Sequence, residues 1–324
     1  MKQKVCFYVH KEHEKIAFWS YVKVFTNFSE CIGGKIVNEE TLEERIDGCD
    51  FIIADDWDAI ELSSSLGRNS ASIIIPYAQT LYGLNTLRSG KKGIKRTIGS
   101  FLPLHFISKN YVSKMKMFTA IFANSMGTAS LLHHLYNLYP TYVLNPGLNP
   151  NIYKPTTKKE DKILIFGSSP YLSSTIDPVD MTAVNFIIKE AKKRDLEVHV
   201  FGRKIESDRE IINHEFIPDE ELIKLYSSSL ITFTPQPFEL FGLVPVESAL
   251  CGTPVISTYY HDALVPGVNG FVFHPQHISV QFDRAMNLER DIIIQSVDKF
   301  TTSKTCSLLN DYLEEISYIS GLRT

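Results

Sequence analysis

Two glutamates in the second half of the chain have a spacing that could do chemistry. Residues 238–257 read FELFGLVPVESALCGTPVIS, and Glu239 and Glu247 stand eight positions apart around the turn FGLVP. Gly242 permits a sharp turn, because glycine adopts backbone conformations that other residues rarely reach. The apolar run after the turn predicts a helix over residues 243–251.

The N-terminus of this helix would form an anion site. The backbone N–H groups near Gly242, Leu243 and Val244 would lack partners within the helix and carry partial positive charge. The carboxylate of Glu247, about one turn into the helix, could accept hydrogen bonds from vicinal hydroxyls such as a ribose diol. Glu239 would lie beside a group attached to the phosphate. This arrangement suits a nucleoside diphosphate that carries a sugar, whereas the alternative is a loop carboxylate and a solvated helix residue.

The elements that must position these residues alternate between strand and helix. This alternation predicts an α/β protein with two doubly wound, Rossmann-like parallel sheets, which bind ligands beyond the carboxyl ends of their strands and in the cleft between the domains. Residues 145–162 interrupt both periodicities with Pro, Asn, Gly and Lys, so they are the best linker candidate. The predicted strands cover residues 4–9, 51–54, 72–76, 118–123, 142–144, 162–166, 197–201, 230–234, 254–257 and 270–273, and the predicted helices cover 13–28, 124–138, 180–194, 219–228 and 243–251.

Composition places the chain among ordinary globular proteins. Its 324 residues are enough for two domains, and its 44% hydrophobic and 22% charged residues are typical of such proteins. No apolar run approaches the roughly 20 residues of a membrane span, and the N-terminus becomes charged too early for a secretory signal. The five cysteines are odd in number and form no C-x-x-C pair. They are therefore interpreted as reduced, mostly buried thiols of a cytoplasmic protein, and no metal site is predicted.

Positive charge is concentrated in one part of the chain. Residues 62–159 contain 12 basic and no acidic side chains, and eight of the basic ones lie in residues 87–118 among Phe, Leu, Ile and Met. Such a segment, with Lys91 and Lys92 near its start, predicts contact with an anionic lipid or membrane surface on the acceptor side. The alternative is an ordinary solvated surface. Nucleic acid is not expected as a partner, because no recognition motif is present.

The segment around the two glutamates resembles a known signature. ELFGLVPVE followed by ALCGTPVIS is similar to E-x-F-G-[LF]-x-x-x-E followed by A-x-G-x-P-V-[IV], the donor-site signature of retaining GT-B glycosyltransferases of the family 4 (group 1) type. Residues 120–136, 142–155, 213–242 and 267–273 resemble other stretches of that family. The resemblance covers roughly residues 118–275 and is most specific in its C-terminal part.

The resemblance implies a fold and an activity. It implies a GT-B fold whose two Rossmann-like domains face each other across a cleft. Residues 1–154 would bind the acceptor, residues 155–304 would bind the nucleotide sugar, and a C-terminal helix at about 305–324 would pack back on the first domain. The implied reaction transfers a sugar from a UDP- or GDP-sugar to an acceptor, possibly lipid-linked or a glycan. It proceeds with retention at the anomeric carbon and needs neither a metal nor a cofactor.

The same resemblance implies roles for individual residues. Glu247 would bind the donor ribose, and Glu239 would contact the donor sugar near the reacting carbon. The amides around Phe241–Val244 would bind the diphosphate or sugar hydroxyls. By its position after the first predicted strand, and not by the resemblance, His10 is a second catalytic candidate that could contact the acceptor or the sugar; the alternative is a structural histidine.

The chain departs from the family pattern at several positions. Where the family places an Arg after the glycine of the second domain's first strand, Ser168 follows Gly167. Arg203 and Lys204, after the next strand, could supply the missing positive charge to the diphosphate. Gln79 is the closest substitute for a histidine that the family often has in the first domain. In the loop after P-V-I, Asp262 could replace a family glutamate.

Other functions remain open at this stage. The missing Arg–Lys pair favours a GT-B-fold binding or scaffold protein that has lost activity, whereas the intact glutamates oppose it. A GT-B-fold epimerase that acts on a UDP-sugar is the other alternative. A dinucleotide-dependent dehydrogenase is disfavoured, because neither half shows G-x-G-x-x-G after its first strand. The expected location is cytoplasmic, either free or peripheral at the inner membrane face.

Overall fold

The computed structural model divides the chain into two compact units. Unit 1 comprises Met1–Gly147 and Thr302–Thr324, and unit 2 comprises Leu148–Thr301. The structure describes residues 3–11, 20–45, 48–66, 72–78, 104–168, 179–207, 210–215, 217–236 and 241–321.

Unit 1 contains a parallel sheet with helices between its strands. Its strand order is β2-β1-β3-β4-β5-β6, and every pair is parallel. The strands are β1 (Val5–Tyr8), β2 (Lys35–Val37), β3 (Phe51–Asp55), β4 (Ile73–Ala78), β5 (Ile121–Ala123) and β6 (Thr141–Val143). The helices in the described part of this sequence are α1 (Ser20–Ile32), α2 (Glu39–Arg45), α3 (Asp56–Ser65), α4 (Leu104–Met115) and α5 (Met126–Tyr136).

Strand β1 shows why the strands of this sheet are apolar throughout. Val5 and Phe7 pack into one hydrophobic cluster, and Cys6 and Tyr8 pack into another on the opposite face. All four side chains are buried. Because both faces of the sheet are covered, the alternation of polar and apolar residues that marks a half-exposed strand is absent.

Unit 2 contains a second parallel sheet. Its strand order is β12-β11-β10-β7-β8-β9. The strands are β7 (Lys162–Phe166), β8 (Glu197–Phe201), β9 (Ile212–Asn213), β10 (Ile231–Thr234), β11 (Val255–Ser257) and β12 (Gly270–Val272). The helices in the described part are α6 (Met181–Lys192), α7 (Asp219–Ser228), α8 (Leu243–Leu250), α9 (Ile278–Met286) and α10 (Arg290–Gln295). With two parallel sheets and helices around them, the predicted α/β class is confirmed.

The last helix belongs to unit 1. Helix α11 (Thr302–Ile319) places Cys306, Leu309, Leu313 and Ile316 in the same cluster as Phe7 of β1. These four positions recur at intervals of three and four residues, so they form one face of the helix. The chain therefore returns to its first unit after completing the second.

The unit boundaries differ from the predicted ones by a few residues. Residues 148–154 were assigned to the first domain, but in the structure they belong to unit 2. Leu148 donates a backbone hydrogen bond to the carbonyl of Phe300 at 3.0 Å. The buried Tyr153 donates from its phenol to Oδ2 of Asp219 at 3.0 Å. These contacts explain the shift, because linker composition does not reveal which core a tyrosine enters.

The interpretation of the cysteines as free thiols is wrong for four of the five. Cys6 is paired with Cys49 and Cys31 with Cys306, with Cα–Cα distances of 5.9 and 6.4 Å. Cys251 is free and buried. The partners are 43 and 275 residues apart in sequence, so only the fold brings them together. No helix in the described ranges is long and apolar enough to cross a membrane.

Candidate functional site

The carboxyl edge of the unit 2 sheet contains the point where strand order reverses. From the central strand β7 the chain proceeds to β8 and β9 on one side and later to β10, β11 and β12 on the other. Open parallel sheets bind ligands at such a switch point. Here Gln236, which follows β10, donates from Nε2 to the carbonyl of Phe166 at the end of β7, at 3.3 Å.

On the other side of β7, two predicted site segments meet backbone to backbone. The amide of Arg203 donates to the carbonyl of Ser168 at 2.9 Å, and that of Gly167 donates to the carbonyl of Phe201 at 2.8 Å. A Cβ atom at Gly167 would lie 1.9 Å from the carbonyl oxygen of Arg203, so only glycine fits there. The structure therefore brings Gly167, Ser168 and Arg203 together.

The three polar side chains of these segments differ in exposure. Ser168 is buried, Arg203 is half-buried and Lys204 is exposed. A solvent-open hollow of about 550 Å³ lies beside Lys204 and is also lined by Glu206 and Glu215. The lining of this hollow carries both positive and negative side chains, which does not favour an anion beside Lys204. Arg203 is therefore better placed than Lys204 to bind an anionic ligand at the switch point.

Helix α8 begins at Gly242, whose backbone lies in the left-handed region with φ of +85°. The first hydrogen bond of the helix runs from the amide of Val246 to the carbonyl of Gly242 at 3.4 Å. The helix itself offers no acceptor to the amides of Leu243 and Val244, and Pro245 has no N–H. The backbone at the start of α8 therefore has the geometry of the predicted anion site. The buried Phe241 lies next to it.

Glu247 lies in the interior of unit 2 and is only 6% exposed. The phenol of Tyr226 on α7 donates to its Oε2 at 3.0 Å. The alternative of a solvated helix residue is thus wrong. A carboxylate at this depth is an expensive group for a protein to keep without a ligand or partner.

The Glu247 carboxylate affects the pKa values of neighbouring side chains. Burial, followed by the Glu247 carboxylate, raises the pKa of Cys251 to about 12. The same two causes raise the pKa values of Tyr153 and Tyr226 well above their usual range. Both phenols stay protonated and remain hydrogen-bond donors, that of Tyr226 to Glu247 and that of Tyr153 to Asp219.

Sequence reasoning missed His261, in the loop after β11. Its side chain is 2% exposed, and neither ring nitrogen has a hydrogen-bond partner among the described residues. Burial lowers its pKa to about 4, against a smaller opposite effect from the backbone of Phe241, whose geometry falls short of a hydrogen bond. A Cβ atom at Gly242 would lie 2.9 Å from Nδ1 of His261. No sequence signal identified this residue beyond its position in the loop that contains Asp262.

His10 lies in unit 1, two residues after the end of β1. Its Nδ1 is 3.6 Å from Oε1 of Glu39, and the His10 side chain is 39% exposed. Asp58 is nearby, and burial raises its pKa to about 6 while His10 lowers it. The His10 side chain is therefore partly accessible and lies beside a carboxylate.

Several predicted site residues cannot be placed. Glu239, Gln79, Lys91 and Lys92 lie outside the described residues. Within the described ranges, no group of three or more His, Cys, Asp or Glu side chains could hold a metal ion.

The same region resembles known proteins. Residues 183–295, which contain α8, Glu247 and His261, match the family model of glycosyl transferases group 1. The D-inositol 3-phosphate glycosyltransferase of Acidothermus cellulolyticus is 42% identical over 41 residues. That match covers 13% of this chain and 9% of the relative, so this chain spans only a small part of the curated relative.

Solved structures resemble the chain over almost its whole length. Sucrose-phosphate synthase from Thermosynechococcus elongatus gives a TM-score of 0.69 at 12% identity, with 98% of this chain and 100% of that chain covered. Anabaena HepE, solved with UDP and glucose, gives a TM-score of 0.66 at 13% identity, with 96% and 99% covered. At these identities the likeness shows the fold, which is of the GT-B type with two α/β units.

Proposed function

We propose that this protein is a glycosyltransferase that moves a sugar from a nucleotide sugar to an acceptor hydroxyl. The match of residues 183–295 to glycosyl transferases group 1 and the GT-B-type fold support this class of reaction. Because HepE has been solved with UDP and glucose and with UDP-glucose, a UDP-sugar is the first donor to test, followed by a GDP-sugar.

The observation that carries this proposal is the buried Glu247 beside the N-terminus of α8. Its carboxylate is held by Tyr226 at 3.0 Å, near the carboxyl edge where strand order reverses. A carboxylate can accept two hydrogen bonds from the vicinal hydroxyls of a ribose. In our proposal Glu247 binds the donor ribose, which explains the presence of a charged group in an apolar interior.

The diphosphate would lie at the start of α8. The amides of Leu243 and Val244 and the backbone at Phe241 and Gly242 would donate to phosphate or sugar oxygens. Arg203 and the adjacent Lys204 would add positive charge. Gly167 and Ser168 lie next to the backbone of Arg203. In the reaction the bond between the anomeric carbon and the phosphate oxygen breaks, and the nucleoside diphosphate leaves with the electron pair. Fixed dipoles and cations lower the barrier to this step, because they stabilise the developing charge without reorganising.

The remaining steps are also proposals. The acceptor oxygen bonds to the anomeric carbon, its proton passes to the departing phosphate, and the configuration is retained, with no metal or other cofactor. Glu239 would contact the sugar near the reacting carbon. His10 would bind the acceptor in unit 1, where Glu39 lies 3.6 Å from its ring.

The acceptor side would include Gln79, Lys91 and Lys92. The carboxylate-free stretch of residues 62–159 supports an anionic acceptor or membrane surface, and we propose that the protein is peripheral to a membrane face. Vesicle binding that falls with salt and with neutral replacements of Lys91 and Lys92 would support this part. Vesicle binding unaffected by either change would contradict it.

The first experiment measures thermal stability of the wild type and of Glu247→Gln with UDP, GDP, ADP and their common sugars. A ligand at about 100 times its Kd stabilises the folded state by about 2.7 kcal/mol. We expect one nucleotide to raise the melting temperature of the wild type and to have little effect on Glu247→Gln. Glu220→Gln, at an exposed position of α7, is the matched control with the same change in charge. A nucleotide that stabilises Glu247→Gln as much as the wild type would contradict the assignment.

Turnover distinguishes the transferase from its alternatives. Release of the nucleoside diphosphate from the donor should require an acceptor. The rate of this release should fall in Glu239→Gln. An epimerase would convert the UDP-sugar without an acceptor, and a scaffold protein would bind the nucleotide without turnover. Full activity in Glu239→Gln would show that the proposed role of Glu239 is wrong.

A further inference from the structure

His261 is a buried polar side chain whose hydrogen-bonding capacity is unused. It is 2% exposed, and both Nδ1 and Nε2 lack a partner among the described residues. Buried polar side chains in folded proteins almost always have a hydrogen-bond partner, because an unmade bond costs the full desolvation of the group. Within the described part of the chain, the ring therefore keeps a donor and an acceptor that a ligand could use.

The ring is packed against the start of α8. It occupies the space where a side chain at Gly242 would lie, with Nδ1 and Cε1 at 2.9 and 3.1 Å from the position of a Cβ atom. The amides of Leu243 and Val244, in the same turn, have no acceptor within helix α8. Two independent features, an eight-residue helix with an uncapped N-terminus and an unpartnered buried imidazole, therefore meet at Gly242.

We infer that His261 is a further ligand-binding residue, whose ring N–H donates to a phosphate oxygen of a nucleoside diphosphate bound at the N-terminus of α8. This inference rests on the proposed function and adds a specific residue to it. Because the ring is enclosed, contact with a ligand requires the backbone at Gly242 to adjust. A glycine in the left-handed region is the residue best able to do so.

The protonation state of the ring fits this role. Burial lowers the pKa of His261 to about 4, so the imidazole is neutral at physiological pH. A neutral imidazole carries one N–H donor and one acceptor nitrogen. It can therefore donate to an anionic oxygen without the cost of a buried cation.

The test compares the wild type with His261→Phe and His261→Gln by titration calorimetry, with UDP and with inorganic pyrophosphate as ligands. Phenylalanine keeps the ring volume and removes the N–H, whereas glutamine keeps an N–H donor. We expect His261→Phe to bind both ligands at least tenfold more weakly, with a melting temperature of the free protein equal to or above that of the wild type. His261→Gln should recover part of the affinity.

A second measurement does not depend on a folded variant. In wild-type protein labelled with ¹⁵N-histidine, the ring nitrogens of His261 should shift on addition of UDP and of pyrophosphate. Equal affinity in the wild type and His261→Phe, or ring signals that do not move, would overturn the inference. A loss of affinity for UDP but not for pyrophosphate would overturn the assignment to phosphate.

The inference and the proposed function can fail separately. If the wild type binds UDP or another nucleoside diphosphate and His261→Phe binds it equally well, only the inference about His261 is wrong. If the wild type binds no nucleoside diphosphate and no pyrophosphate, the proposed function is wrong and the inference falls with it. A weaker affinity that merely follows a lower melting temperature would indicate a structural residue and would also overturn the inference.

Discussion

The phenol of Tyr226 on α7 donates to Oε2 of Glu247 on α8 across 3.0 Å in the interior of unit 2. This hydrogen bond joins two helices that flank the same sheet, and it orients a carboxylate in the region that matches glycosyl transferases group 1. The pair therefore couples the stability of unit 2 to the proposed donor site.

Tyr226→Phe should affect both properties. Removal of the hydroxyl leaves a buried carboxylate oxygen short of one donor, which costs about 1–3 kcal/mol. For a unit of this size each kcal/mol lowers the melting temperature by about 2–4 °C. We also expect weaker binding of the donor nucleotide, because Glu247 loses its orientation. Tyr318→Phe is the control, since Tyr318 is 79% exposed. Unchanged stability and affinity in Tyr226→Phe would show that the hydrogen bond does not matter.

Gly242→Ala should be destabilising for two reasons that can be separated. The left-handed backbone costs an alanine about 1–2 kcal/mol, and its methyl group would lie 2.9 Å from Nδ1 of His261. Gly267→Ala is the matched control, because Gly267 has a φ of +79° and no atom within 4 Å of its Cβ position. Denaturant unfolding should give a larger loss for Gly242→Ala.

The contact with His261 has its own check. If the ring causes the extra loss, Gly242→Ala combined with His261→Ala should be less destabilised than the sum of the two single variants. Strict additivity would attribute the difference to the backbone alone.

Stability in acid should depend on His261. The pKa of this ring is lowered from its usual 6.5 to about 4 in the folded state, so the unfolded chain binds more protons between these values. Its contribution to stability is therefore complete above pH 6.5 and is lost as the pH falls toward 4. At 1.36 kcal/mol per unit, the loss is at most roughly 3 kcal/mol. His261→Phe should have a flatter stability curve from pH 7 to 4, measured by urea unfolding. Parallel curves for the two proteins would contradict the assignment.

The cysteine pairing can be counted directly. With Cys6–Cys49 and Cys31–Cys306 bonded, the denatured but unreduced protein should take up one alkyl group, at Cys251. After reduction it should take up five, the number of cysteines in the chain. Uptake of five alkyl groups without reduction would show that all five cysteines are free thiols. Mass spectrometry of intact protein under both conditions gives the answer.

Much of the fold could be predicted from local pattern. The predicted strands at residues 162–166 and 197–201 coincide with β7 and β8, and the predicted helix at 219–228 coincides with α7. These elements are apolar runs or amphipathic repeats with clear ends, so local sequence is sufficient. Strands such as β2, with one buried residue of three, and β9, with two residues, were missed, because edge strands carry little hydrophobic signal.

By itself, the sequence determined the α/β class, the turn at Gly242 and the candidate carboxylate Glu247, because these depend on residue types and spacings within one short segment. Only the tertiary structure decided the partners that come from elsewhere in the chain. Tyr226 reaches Glu247 from the preceding helix, His261 fills the space above Gly242 from the following loop, and Cys31 meets Cys306 across 275 positions. Local spacing cannot predict such contacts, because they arise when separate elements pack around a common core.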